Sequence, residues 1–323
     1  MRKIIIDTDP GTDDAVAIIA ASKQKDFDIL GITTVAGNKG IETTTRNALG
    51  LVKFCNIDCK VYRGAEVSMQ PRYLRTEDDS CHGINGMGGV DLAYDMADLS
   101  DQHAVDFILE TVRANPNEVE LLVIGPVTNI ALAIEKDLET MKKVKAIYSM
   151  GGGVHSGNMN PVAEFNYWFD GKATKMMFEL GEFVELHMVG LNVTHPSYFS
   201  PNDFWFLKLE GGEIGQFIFD VEMNTMEALG FLESGVIGNT IHDLLTVMYM
   251  MDHSLLTTVH ANVEVATEDF IGQTVVDTLG LNKEAKKNAY VGIDVDVRKY
   301  KENFIDLVFG EDTGLLFKKH VKS

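Results

Sequence analysis

Cysteine is scarce in this 323-residue chain, where Cys55, Cys59 and Cys81 are the only three. That is too few for a disulfide framework or for a zinc site built on thiolates alone, so reduced, buried thiols are expected. Basic residues are also few, 28 Lys plus Arg against 48 Asp plus Glu, and a net charge of −20 repels a phosphate backbone, which argues against nucleic acid as a partner. No apolar run is long enough to span a bilayer, and the run Ile4-Ile5-Ile6 gives way to Asp7 without a signal-peptide core. A cytoplasmic protein with no membrane partner is the expectation. The chain has no Pro- or Ser-rich linker and no Gly-Lys-Ser/Thr phosphate loop, and Gly151-Gly152-Gly153 lacks the spacing of a dinucleotide site.

Short β-branched runs alternate with helical stretches, the pattern of an α/β fold with a parallel sheet covered on its faces. Strands are expected at Lys3–Asp9, Ile29–Ala36, Cys59–Tyr62, Glu120–Ile124, Val144–Met150 and Phe183–Leu191. Helices are expected at Thr12–Ser22, Glu42–Asn56 and Ile130–Glu135, the last capped by Thr128-Asn129. Residues 202–239 are broken by Gly211-Gly212, Gly215, Gly230, Gly235 and Gly238, and read as helices joined by mobile loops. Two β-rich pieces, Ala261–Ala266 and Ala289–Asp296, precede a helix at Tyr300–Phe309. The whole is expected to be a Rossmann-like, open, mostly parallel sheet with helices on both faces, in one domain over 1–323. Five apolar strands end in polar residues, at Asp7-Thr8-Asp9, Gly37-Asn38, Gly125-Pro126, Met150 to Gly153 and Asn192 to His195. Ligands of such sheets bind beyond the carboxyl ends of the strands, so these endings should converge.

The first ending carries most of the chemistry. Asp7-Thr8-Asp9-Pro10-Gly11-Thr12-Asp13-Asp14 places four carboxylates within eight residues where a strand passes into a helix. Like charges this close stay ionised in a crevice only if a cation or strong donors balance them, and a donor set of oxygen alone favours Ca²⁺ or Mg²⁺ over zinc. The alternative is that Asp13 and Asp14 merely cap the helix and Asp7 and Asp9 are solvated. An EF-hand loop fits poorly, since counting from Asp7 puts Thr12 and Ile18 where Gly and Glu belong. A haloacid-dehalogenase-type phosphatase has Gly-Thr directly after the second Asp, where Pro10 intervenes here. Farther on, Asn158, Glu164 and Asn166 form a short polar stretch whose amides and carboxylate suit a diol or triol, whereas Asn160 reads as a turn residue.

The octapeptide resembles the Asp-x-Asp-Pro-Gly-x-Asp-Asp signature of the inosine-uridine-preferring nucleoside hydrolases. Further blocks match in order: Val35-Ala36-Gly37-Asn38, His82-Gly83-Ile84-Asn85-Gly86, Gly125 to Asn129, Pro161 to Asn166, and His242-Asp243. The resemblance covers roughly the first 250 residues. It implies hydrolysis of the N-glycosidic bond of ribonucleosides, and Ca²⁺ held by Asp9, Asp14, Asp243 and the backbone carbonyl of Ile124. It further implies Asp9 as general base, Asp7 as a supporting carboxylate, and Asp13, Asn38, Asn158, Glu164, Asn166 and the Met150 region around the ribose. His242 would face the leaving base, with His82 also on the base side. His103, His155, His187, His253 and His260 match nothing and are expected at the surface or in packing, and where the family commonly has Asp this chain has Asn192. The family also implies a homo-oligomer, dimer or tetramer, and Phe and Met of 217–231 could close over a base. An anionic pocket favours an oxocarbenium-like transition state, and with no Lys or Arg assigned to it a neutral nucleoside fits better than a nucleotide. A metal-dependent phosphatase and a catalytically silent nucleoside-binding protein are the alternatives.

Overall fold

Strand β1 (Arg2–Thr8) is buried on both sides, with Ile4 and Ile6 entering one hydrophobic cluster and Ile5 another. The period of two that separates them runs through the centre of the sheet: Leu122 and Ile124 share the first cluster, Leu121 and Val123 the second. The computed structural model describes residues 1–70, 82–228 and 238–320. Cys81, Gly230, Gly235 and Phe231 of the sequence reading lie outside them.

The other strands are β2 (Phe27–Thr34), β3 (Lys60–Arg63), β4 (Leu99–Ser100), β5 (Val119–Val123), β6 (Ala146–Met150), β7 (Glu185–Val189), β8 (Leu256–Ala261), β9 (Val263–Val265), β10 (Thr274–Val276) and β11 (Ala289–Val295). Nine form one sheet in the order β4-β3-β2-β1-β5-β6-β7-β11-β8, parallel throughout except for the β11–β8 edge pair. The chain winds outward from β1 to β4, then returns to place β5 on the other side of β1. The topological switch therefore lies between β1 and β5, and the five expected strand endings belong to the neighbours β2, β1, β5, β6 and β7. The expected strand over Ala261–Ala266 is two: β8 stays in the main sheet, while β9 pairs with β10 in a separate ribbon.

Helices α1 (Thr12–Lys23) and α2 (Ile41–Cys55) cover the first face; α3 (Ala104–Ala114), α4 (Thr128–Lys136) and the helix Gly171–Leu180 cover the second. Every residue of Ala15–Ala21 is fully buried, because α1 is packed between the sheet and the helix His242–Met251. Residues 201–228 are helical, as expected, in two helices, Pro201–Glu210 and Gly212–Ala228. They cross so closely that a Cβ on Gly215 would overlap the carbonyl oxygen of Leu207. One local expectation is corrected: Thr128 and Asn129 do not cap α4, whose N-cap is Val127. Their side chains bond across the fold instead, Thr128 Oγ1 to Asp170 Oδ2 at 2.9 Å and Asn129 Nδ2 to Asp7 Oδ1 at 2.8 Å.

Candidate active site

Two helix N-termini meet beyond the switch point. The first turn of α1 carries Asp13 and Asp14, the helix packed against it starts with His242 and Asp243, and α1 begins where β1 delivers Asp9. Asp13, Asp14 and Asp243 each offer a carboxylate oxygen, all within 4.8 Å of one another. Asp13 is partly exposed; Asp9, Asp14 and Asp243 are buried. Sequence reasoning placed Asp13 on the sugar and Asp9 among the metal ligands; among the described residues Asp13 belongs to the carboxylate group that meets within 4.8 Å, and Asp9 is not part of it.

The backbone and small polar groups hold these carboxylates in place. Asp14 accepts from Thr8 Oγ1, from Gly11 N at 2.9 Å and from Asn38 Nδ2 at 3.2 Å. Asp9 Oδ2 accepts from Asn38 N at 2.6 Å, while its buried Oδ1 has no partner among the described residues. Gly37 is required beside it, because a Cβ there would overlap Asp9 Oδ2. Deeper still, Asp7 Oδ1 accepts from Thr33 Oγ1 at 2.5 Å and from Asn129. Burial drives the carboxyls upward, Asp7 to about 7 and Asp14 to about 6, and raises Asp9 and Asp243 strongly, with the charges of neighbouring aspartates adding to the rise at Asp9, Asp14 and Asp243. Such a group, all oxygen, with a buried carboxylate oxygen that lacks a partner among the described residues, has the donor chemistry of a hard divalent cation site.

The cluster opens into a cavity of about 390 Å³. Asp13, Asn38, His82, Ile124, Met150, Asn158, Glu164, Asn166, His242 and Asp243 all line it; Asp9 and Asp14 do not reach its surface. Asn166 Nδ2 is already engaged, donating to the carbonyl oxygens of Ile124 at 3.1 Å and Met150 at 3.2 Å. Glu164 caps the short helix Phe165–Phe169 by accepting from Asn166 N and Tyr167 N, and also accepts from Gly152 N; burial lifts its carboxyl to about 7. Asn158 is exposed at the rim, and Asn160 is the expected turn residue, its Oδ1 accepting from Val162 N and Ala163 N.

The two histidines expected on the base side are set by defined partners. His82 Nδ1 faces the backbone N–H of Thr12 at 3.2 Å, which can only donate, so that nitrogen is the acceptor and Nε2 carries the hydrogen. His242 Nδ1 lies 2.8 Å from Thr194 Oγ1, and burial depresses the ring to about 4. The sequence reading missed His195, whose ring packs edge-on to His242 at 5.5 Å, and also Thr12, Met159, Phe165, Thr225, Asn239 and Thr240 in the wall. Only His195 had a signal, at a strand ending. Of the histidines expected at the surface or in packing, His155 is exposed, His103 caps α3, and His187, His253 and His260 stack with Tyr148, Tyr249 and Tyr290. Asn192 Nδ2 donates to Gly292 O at 2.7 Å, a bond the family's usual Asp could not make. Cys55 and Cys59 are free and half-buried.

No Lys or Arg occurs among the described residues of the wall. The acid-lined cavity thus lies at the switch point of the doubly wound sheet, where ligands of such folds bind. The chain belongs to the inosine-uridine preferring nucleoside hydrolase family, whose model matches residues 4–302. It is 34% identical over 298 residues to the pyrimidine-specific ribonucleoside hydrolase RihB of Escherichia coli, covering 91% of this chain and 93% of the relative. Its fold is similar to that of a plant nucleoside hydrolase, with a TM-score of 0.89 and 28% identity over 96% of this chain and 99% of the other. A purine-preferring ribonucleoside hydrolase from Gardnerella vaginalis superposes with a TM-score of 0.87 at 28% identity, over 98% and 100% of the two chains. Among the described residues, no helix is long and apolar enough to cross a membrane.

Proposed function

We propose that the protein hydrolyses the N-glycosidic bond of neutral ribonucleosides to free base and ribose, with Ca²⁺ as its cofactor. The observation that carries this reading is one cavity in which an oxygen-only acid cluster meets three histidines, with no lysine or arginine among its described wall residues. A phosphate would enter that cavity against several carboxylates with no cationic side chain to receive it, which disfavours the phosphatase alternative.

Asp13, Asp14, Asp243 and Asp9, with the Ile124 carbonyl, would hold the cation, and when bound it supplies a positive centre that orients the ribose diol and makes a nearby water more acidic. Asn38 aligns Asp9 and Asp14 through its backbone N–H and side-chain amide. Asp9, whose Oδ1 has no partner among the described residues, would be the base that takes the proton of a water admitted to the acid cluster. Glu164, Asn166 and Asn158 bound the sugar side. As the C1′–N bond stretches, positive charge grows on the ribose, and the surrounding carboxylates favour that state over the uncharged substrate. With Nδ1 of His242 taken as the acceptor from Thr194 Oγ1, its Nε2–H would be offered to the departing base from a neutral ring. Analysing the products from a ribonucleoside and its 5′-monophosphate, at fixed Ca²⁺, tests the reading. Ribose and free base from the nucleoside, with the monophosphate inert, is the expected result; phosphate release, or tight binding without turnover, supports an alternative.

A further inference from the structure

Beyond the acid cluster and the sugar-side residues, the cavity wall contains an amide whose orientation is set from behind. Asn239 is fixed to Phe199 through paired backbone hydrogen bonds, Asn239 N to Phe199 O at 2.9 Å and Phe199 N to Asn239 O at 2.8 Å. Its side-chain Nδ2 donates to Glu222 Oε2 at 2.6 Å. Glu222 is fully buried and does not reach the cavity, and its other oxygen has no partner among the described residues. Oε2 accepts from the amide whether Glu222 is ionised or carries a proton on Oε1. A primary amide holds its oxygen and nitrogen in one plane, diverging from the same carbon, so engaging Nδ2 turns Oδ1 away from Glu222. Oδ1 has no protein partner among the described residues. Asn239 lines the cavity three residues before His242, on the side assigned to the leaving base.

We propose that Asn239, oriented by Glu222, determines base specificity by accepting a hydrogen bond at Oδ1 from the ring N–H of a lactam-type base. Hypoxanthine, guanine and uracil carry such an N–H beside a carbonyl. Adenine and cytosine present a lone pair at the corresponding ring nitrogen, which would face the amide oxygen without a proton between them. A carboxyl group behind the amide polarises it and strengthens Oδ1 as an acceptor. Asn239 touches the base, while Glu222 is a positioning residue. The proposal rests on the nucleoside hydrolase reading and deepens it by naming the class of base.

The test compares kcat/KM for inosine with 1-methylinosine and for uridine with 3-methyluridine, in the full chain with Ca²⁺. The wild type should prefer the N–H member of at least one pair by about tenfold or more, the discrimination expected when a placed acceptor loses its donor. Asn239→Leu keeps a branched side chain, so any steric penalty on the methyl group remains while the acceptor is gone; the preference should fall by about tenfold. The double variant Glu222→Leu with Asn239→Leu removes both partners and leaves no unpaired buried carboxyl, and it should show the same loss. Glu222→Leu alone should also lose discrimination, and Glu222→Gln, which keeps an acceptor oxygen for Nδ2, should restore it. A preference unchanged in both Leu variants at position 239, or absent from the wild type, overturns the role of Asn239. Discrimination retained by Glu222→Leu overturns the orienting role of Glu222. Failure of the wild type to release ribose from any of the four nucleosides defeats the hydrolase reading itself, and is distinguished from the other outcomes by the absence of any rate to compare.

Discussion

Glu222 and His242 show how burial decides what a side chain can do. Glu222 is raised to about 8 by burial, with the nearby Asp13 charge adding, against an ordinary value of 4.5. The folded form therefore holds its proton over a range where the unfolded chain has lost it, so the contribution of Glu222 is complete below about 4.5 and disappears as pH rises through about 8. Glu222→Gln should flatten the fall in thermal stability between pH 5 and 8, measured by melting temperature; an unchanged slope would mean that Glu222 does not titrate in this window. His242 is neutral, and its worth lies in the hydrogen it offers. A positioned acid contributes on the order of 10² to 10⁴ in rate, so His242→Ala should slow inosine or uridine by a factor in that range more than a nitrophenyl riboside, whose phenolate leaves without protonation. Equal slowing of the two would make the histidine structural. At this scale the acid motif was legible because unusual residue types cluster at a strand end, whereas His82 and His242 were assigned only through the family resemblance. Thr225, Asn239 and Thr240 were not legible, since they are ordinary residues brought to the cavity by distant packing.

Among elements, the central strands were legible because they are buried on both faces and end in polar turns, and the structure moves their bounds by about two residues at most at β1, β2, β5, β6 and β7. Two helices on the second face were missed for local reasons. The N-cap of α3 is His103, outside the usual Ser, Thr, Asp and Asn set. The helix Gly171–Leu180 follows Phe165–Phe169 across a single residue, Asp170, which caps it while also accepting from Met69 N and Thr128 Oγ1. The helices Pro201–Glu210 and Gly212–Ala228 carry the sharpest element-level prediction. Gly215→Ala forces a methyl group against the Leu207 carbonyl, and overpacking of this kind costs about 1–3 kcal/mol. Chemical denaturation should show that loss; a variant as stable as the parent would mean that the two helices can separate without cost.

For the whole molecule, the order of the sheet does the assembling. The switch between β1 and β5 opens the crevice, α1 and the helix His242–Met251 bring two acidic N-termini to its mouth, and Gly37 leaves room for Asp9. A few of the 48 acidic residues behind the net charge of −20 gather here into a buried cluster that a cation would keep ionised. Nothing in the composition fixes where the carboxylates gather, which is why four aspartates in one motif could be read as a site while their partner Asp243, more than 200 residues away, was assigned only through the family resemblance. The measurement that tests the account most directly is ribose release from inosine and uridine before and after exhaustive chelation, followed by graded return of Ca²⁺. The account predicts that release stops with chelation and is restored by Ca²⁺, with Asp14→Ala requiring more of the ion and reaching a lower rate. Full activity in the chelated protein would contradict it.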